Sequence, residues 1–317
     1  MRITRRSRWR SHWRSRRRPF LQTAVGRLGT LGAVSGLTLL STSCYVLNQG
    51  YHLARNQVAA VPIEDVRSDP EISPEETAFF TRVDVVRRYA TTEIGLAAGD
   101  NYRSYVQYDR DYLVDVVSAV DELSFTRKEW RFPIVGSVPY KGFYNPDKAQ
   151  KLARRLKTDG WDVVTRPVTA FSTLGYFKDP LYSFMVSYND ARLSELLIHE
   201  MAHATLWVKG QSQFNEEFAT FVGRAGALDY MRSTFGPDSP EVTDLLAHRH
   251  DANQFRGDVL RLRDQLQTLY ASAAKTADHI AHDDTGREEI LTRKRAVIAA
   301  FQREFDATYT ERYRTDR

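Results

Sequence analysis

The sequence predicts an α+β fold that is mainly α, with a small β-sheet packed on one central helix and helical parts at both ends. Three observations carry the prediction. Apolar residues recur at helical spacing in several long segments; short extended runs bounded by Gly and Pro cluster between residues 130 and 188; helical periodicity then resumes from Ser239 onward. The 317 residues can bury a sizeable core. A single Cys excludes a disulfide scaffold and any Cys-rich metal cluster, and a mean hydropathy of -0.48 excludes a multi-span membrane protein.

Charge is unevenly placed. Residues 1–27 carry ten Arg and no acidic residue, so removing them from the net +5 leaves about −5 for the rest. The basic pI of about 9.2 belongs to the amino terminus alone, and no nucleic-acid partner is expected. Residues 28–40 (LGTLGAVSGLTLL) follow, uncharged but too short for a spanning helix, which needs about 20 apolar residues. A basic stretch, an apolar stretch and then Ser41-Thr42-Ser43 is the order of an export signal. Cys44 stands where a lipoprotein signal places the acylated cysteine, although Ser41 replaces the usual Leu. Residues 17–22 (RRPFLQ) also resemble the twin-arginine export motif. The expectation is an export signal over 1–43 and a lipid on Cys44. That lipid would hold the body to a membrane of the cell envelope, facing the periplasm.

Beyond the leader, residues 44–128 read as an N-terminal helical region, 129–236 as an α+β metal-binding region and 237–317 as a C-terminal helical pair. Residues 45–60 suit a short helix. Ser73-Pro74-Glu75-Glu76 is a capping box with Pro at the first helical position. Phe79, Phe80, Val83, Val86, Tyr89 and Ala90 form the inward stripe behind it, up to Gly95 or Gly99. Residues 112–123 read as another helix, with Leu113, Val116, Val117 and Val120 on one face. Residues 132–136 and 138–140 read as extended. Asn145-Pro146-Asp147 starts a helix with Ala149, Leu152, Ala153 and Leu156 inward, and Gly160 ends it. Residues 161–164 and 181–188 read as strands, the second a candidate edge for pairing with an extended peptide. From Ser239 a long helix is marked by Phe255, Val259, Leu262, Leu266 and Leu269, a break falls at 283–286, and 290–309 forms a second helix.

His199-Glu200-Met201-Ala202-His203 is an H-E-x-x-H motif, capped by Asn189 or Asp190, with Leu193, Leu196, Leu197 and Leu206 as its apolar stripe. On a helix the two imidazoles lie one turn apart on one face and can share one metal ion, while Glu200 can take a proton from water activated there. Asn215-Glu216-Glu217-Phe218-Ala219 opens a second helix, with Phe218, Phe221, Val222 and Ala225 as its core residues. A carboxylate in its first turn can reach the same ion. Two His, one carboxylate and an open position form the usual catalytic zinc set, so one Zn2+ is expected.

The run N-E-x-F-A after H-E-x-x-H resembles the gluzincin metallopeptidases. That resemblance implies a zincin-like fold and Glu216 as third ligand, across a gap of twelve residues, 204–215, shorter than in the best-known gluzincins. The chain also resembles a bacterial family of predicted aminopeptidases. The resembling stretches are Cys44-Tyr45 with Gly50-Tyr51, residues 132–144, residues 171–180 and residues 199–219. What this implies is a zinc peptidase acting on peptides, with Glu200 as general base and acid. The oxyanion donor is left open among Tyr176, Tyr182, Tyr188 and Tyr270, and Glu195 and Glu217 are candidates for holding a substrate amine. The G-x-M-E-N motif of well-known aminopeptidases is absent. An envelope endopeptidase and a non-catalytic, zinc-stabilised binding protein are the alternatives. His248 with His250 and His279 with His282 have metal-like spacing but read as solvated.

Overall fold

The computed structural model describes residues 55–56, 58–132, 136–169, 179–280 and 284–316. The leader, Cys44, Tyr176 and most of the first expected helix lie outside them. Arg55, Asn56, Val58 and Ala59 of that helix are helical. The element order is β1 (Val61–Pro62), α1 (Ile63–Arg67), α2 (Pro74–Thr92), β2 (Ser104–Val106), β3 (Val114–Asp121), β4 (Trp130–Phe132), β5 (Gly136–Val138), β6 (Lys141–Phe143), α3 (Pro146–Thr158) and β7 (Trp161–Val168). Then come β8 (Leu181–Tyr182), a 3-10 turn (Ser183–Ser187), α4 (Asp190–Thr205), α5 (Ser212–Phe235), α6 (Pro240–Ile280) and α7 (Asp284–Arg312). The fold is α+β and mainly helical. No helix among the described residues is long and apolar enough to cross a membrane.

Helix α2 starts as expected. The Ser73 hydroxyl accepts from the Glu76 N–H at 3.1 Å, and the Glu76 carboxylate accepts from the Ser73 N–H at 3.2 Å. Phe79, Phe80, Val83, Val86 and Ala90 are fully buried along one face. Asn145 caps α3 by accepting from Asp147 and Lys148, and Gly160 follows it with φ +79.

Within residues 112–123 lies a strand, β3 (Val114–Asp121), and not a helix. The strand is buried on both faces, with Val114, Asp115, Val116 and Val117 all buried, so it shows no alternation; its β-branched residues crowd a helix and pack well on a pleated surface. It forms the centre of the sheet β6-β3-β7, antiparallel on both sides. This sheet is built across residue 128, where a boundary was expected. Its apolar face is taken up by α3: Val117, Ala119, Ala149 and Leu156 form the buried cluster, with Trp130 and Trp161 packed against it. The sheet therefore covers α3, whereas α4 packs chiefly on α5 and α2.

Residues 181–188 also differ from the expectation. Only Leu181 and Tyr182 pair, parallel to β2 in the sheet β1-β2-β8. The Ser183 hydroxyl then accepts from the Tyr108 N–H (2.9 Å) and donates to the Tyr108 carbonyl (3.1 Å), which ends the ladder and turns the chain into the 3-10 turn. Both residues of β8 are buried, so this edge offers no open rail for a peptide.

Helices α6 and α7 pack through Leu262, Leu266, Leu269 and Tyr270 against Ile290, Val297 and Ile298. Phe255 and Val259, which mark α6 in the sequence, are exposed, although the Phe255 ring stands edge-on to Phe305 of α7 with centroids 5.9 Å apart. The far end of the pair is held by this aromatic contact, by Phe305 against Tyr313, and by polar contacts. The buried Asp258 carboxylate accepts from Tyr313 at 2.7 Å and pairs with Arg312 and Arg261. Asp251 accepts from the backbone N–H groups of Arg314 and Thr315, each at 2.9 Å.

Candidate metal centre

Helix α4 carries the histidines. Asn189 opens it by accepting from the Arg192 N–H at 2.9 Å, satisfying one of the unpaired donors of a helix start. Arg82 of α2 donates to the carbonyls of Tyr188 (2.8 Å) and Val186 (3.2 Å) and pairs with Asp190 at 3.6 Å, which fixes where α4 begins. Leu193, Leu197, Ile198 and Met201 are buried beneath it. Leu206, expected in this stripe, lies past the helix end and is exposed. His199 and His203 project together, with ring centroids 4.8 Å apart and edge to face.

Helix α5 brings the carboxylate. Asn215, Ala219, Gly223, Gly226 and Ala227 are its buried residues nearest this end. A Cβ at Gly223 would lie 3.0 Å from both the Glu195 carbonyl oxygen and the His199 Cβ, and one at Gly226 would lie 3.0 Å from the Ile198 Cγ2. The two helices thus meet with no room for a methyl group. This close approach makes the short gap of residues 204–215 sufficient. Phe221 and Ala225, expected in the core, are exposed, and Phe218 and Val222 are half-buried.

At the head of α5 the Glu216 carboxylate lies 3.5 Å from His203 Nε2 and 3.7 Å from His199 Nε2. The three ligand atoms fall within 4.8 Å of one another. Donors about 2.0–2.2 Å from a tetrahedral zinc stand roughly 3.3–3.5 Å apart, so small side-chain rotations close the set. His203 adds an independent sign: both its ring nitrogens are buried and lack a hydrogen-bond partner among the described residues, a costly state unless another group takes the lone pair. Two imidazoles and a carboxylate with one side open fit zinc. No other group of three such side chains occurs among the described residues.

Burial, then the neighbouring His203, lowers the His199 pKa, which keeps its ring neutral and able to donate to a metal. Glu200 is buried, and its carboxyl is pushed up to about 8 by burial, then by Asp179 and Glu216. Positive charge held by the three ligands would favour its ionised form.

Sequence reasoning missed several residues here. Tyr102 is enclosed, and its phenol is raised well above the usual value by burial, then by Glu200 and Asp179. Its backbone is left-handed, φ +61, which is strained for a residue other than glycine. Arg87 holds the turn before it, donating to the carbonyls of Ala98 (2.9 Å), Gly99 (3.2 Å) and Asn101. The Tyr102 N–H donates to the Asp179 carbonyl at 2.8 Å, and Ala97 N–H donates to the Thr205 hydroxyl at the end of α4. The turn signal Gly99-Asp100-Asn101 was visible in the sequence; its place beside Glu200 was not. Asn215 is fully buried. Its side-chain oxygen accepts from the Val208 N–H (2.9 Å) and its nitrogen donates to the Val208 carbonyl (2.8 Å), pinning the loop between α4 and α5 as a strand partner would.

Of the four candidate oxyanion donors, Tyr176 lies outside the described residues, and Tyr182, Tyr188 and Tyr270 occupy different parts of the fold. Tyr182 is buried, stacked on Phe184 at 5.3 Å, with its hydroxyl 3.5 Å from the Asn56 amide. Tyr270 belongs to the α6–α7 seam. Tyr188 lies under the Arg192 guanidinium, 3.8 Å from its ring centroid, with its hydroxyl buried and unpaired among the described residues. Glu195 pairs with Arg249 of α6 at 3.1 Å, and Glu217 accepts from Gln213 on the surface. His248 and His250 contact Asp244 and Asp251. The side chains of His279 and His282 lie outside the described residues.

The sequence family described as "Putative aminopeptidase" matches residues 44–317. The chain belongs to that family. The match spans every described residue of this aminopeptidase family member, from β1 through the metal centre to α7. No curated protein matches, and no solved structure matches.

Proposed function

We propose that the protein is a zinc-dependent peptidase, of the aminopeptidase kind its family description names. The observation that carries this reading is the meeting of His199, His203 and Glu216 around an orphaned imidazole. Zinc at such a set supplies a Lewis acid for the scissile carbonyl and lowers the pKa of water toward about 7. Glu200, on the same helix turn, accepts the proton of the attacking water and delivers it to the departing amine nitrogen as the C–N bond breaks. Its burial keeps bulk water from competing for that proton. Asp179 and the Tyr102 turn hold the wall behind it. Glu216 and His203 are kept in place by the tight α4–α5 seam and by Asn215. We further propose that Cys44 carries a lipid that holds the enzyme at the periplasmic face; Cys44→Ser would then release it into the soluble fraction of the envelope, and unchanged membrane retention would sink this part.

The test is metal analysis of purified wild type and Glu200→Gln, with both assayed on a peptide library. One zinc per chain is expected in each, with hydrolysis by Glu200→Gln reduced roughly 100-fold or more. Release of amino-terminal residues fits the aminopeptidase reading, and internal cuts would replace it with the endopeptidase. Zinc without cleavage by wild type, or full activity in Glu200→Gln, overturns the mechanism.

A further inference from the structure

The loop leaving α4 keeps three consecutive apolar side chains in water: Leu206, Trp207 and Val208 are 39%, 38% and 38% exposed. Isolated exposed apolar residues are ordinary, but a contiguous run marks a surface that meets something. This run is also held in place. The Leu206 N–H bonds the Ala202 carbonyl at 2.9 Å, its backbone is extended, and Asn215 grips both backbone groups of Val208. The Trp207 ring stands edge-on to His203, with centroids 5.5 Å apart. The indole is therefore a fixed apolar surface touching a member of the candidate metal set.

We propose that Trp207 determines substrate specificity, forming the wall that packs against a large apolar side chain, such as Leu or Phe, on the residue beside the scissile bond. This rests on the peptidase reading above. Position decides among occupants: a peptide whose carbonyl approaches the three ligands must lay the adjoining side chain near His203, where the indole is presented. The indole offers a broad apolar face with few rotamers to freeze, and the nearby Glu200 and Glu216 disfavour acidic side chains at the same place.

The test compares zinc-loaded full-length wild type, Trp207→Ala and Trp207→Phe, by calorimetry with leucine hydroxamate and glycine hydroxamate. The kcat/KM for peptides carrying Leu or Gly at the scissile position is measured beside it. Wild type should prefer Leu by roughly tenfold or more in both measurements. Trp207→Ala should lose most of that preference, and Trp207→Phe should keep most of it, with zinc affinity unchanged in all three. Should the alanine variant lose zinc, Trp207→Gln retains part of the side-chain volume and removes the apolar face. An unchanged Leu-to-Gly ratio in the Ala or Gln variant, or no Leu preference in wild type, overturns the proposal. Hydroxamate binding needs no turnover, so the two readings fail separately. A Trp207-dependent preference in a protein that cleaves nothing refutes the peptidase and keeps the wall. Cleavage indifferent to Trp207 does the reverse. No hydroxamate binding by zinc-saturated wild type removes both.

Discussion

Adding one methyl group at Gly223 should pull the third ligand away from the other two. In Gly223→Ala the new carbon would lie 3.0 Å from the Glu195 carbonyl oxygen, 3.0 Å from His199 Cβ and 3.2 Å from His199 Cα, where ordinary contact begins at 3.4 Å. Two of those three atoms are backbone and cannot rotate aside, so α5 must back away from α4 by several tenths of an ångström. Overpacking of this kind costs about 1–3 kcal/mol, while Ala in place of Gly in a helix returns about 1 kcal/mol. The net loss is roughly 0–2 kcal/mol without metal. Zinc affinity should suffer more, because ligand positions tolerate only about 0.2 Å and Glu216 lies two turns along the same helix; a weakening of roughly 10–100-fold is expected. Gly257→Ala is the matched control, since its added Cβ meets nothing within 4 Å on α6, and it should stabilise by about 0.5–1 kcal/mol. Urea denaturation of the metal-free proteins and competition titration with a chromophoric zinc chelator read both quantities. If Gly223→Ala gains as much stability as Gly257→Ala and holds zinc as tightly as wild type, the close-approach account is wrong.

Acid should loosen the α6–α7 end before the rest. Burial would raise the Asp258 and Asp251 carboxyls, but hydrogen bonds from Arg312, Tyr313 and Arg261 to the first, and from His250, Thr315 and Arg314 to the second, hold both below the usual value. Their stabilisation is then complete above the unfolded aspartate pKa of about 3.9 and fades as pH falls below it. Lower amide protection factors for residues 251–258 at pH 3 than at pH 6, each corrected for the intrinsic exchange rate at that pH, with those of α2 unchanged, check this; uniform loss across the protein contradicts it. Asn215→Ala removes both hydrogen bonds to the half-exposed Val208 backbone and should cost about 0.5–1.5 kcal/mol per bond, together with weaker zinc binding; unaltered denaturation and zinc titration would refute the clamp. Ser73→Ala removes the acceptor of the α2 capping box and should cost about 0.5–2 kcal/mol, read as a shifted urea midpoint at constant slope.

Local chemistry is what the sequence displays best. The Ser73 box, the Asn145 and Asn189 caps and the glycine at 160 are each decided by a few neighbouring atoms, and each stands where expected. The H-E-x-x-H turn likewise depends only on helical spacing. Residues 112–123 misled because a strand buried on both faces loses its alternation, and only pairing with β6 and β7 distinguishes it from a buried helix. Helix α5 misled for the opposite reason. Its buried face is Gly and Ala, which carry no hydrophobic signal, while Phe221 is turned outward. Tyr102 and Asp179 come to Glu200 from distant parts of the chain, so no spacing announces them.

Arg87 has a bearing on how natural variants of this chain should be read. One planar cation satisfies three carbonyl groups of the 98–101 turn, those of Ala98, Gly99 and Asn101. Lysine would conserve the charge yet offer only a single ammonium point to oxygens that a guanidinium fork reaches together. A replacement that looks neutral by polarity would thus slacken the support of Tyr102, and defects in catalysis could be traced to a position that never approaches the substrate.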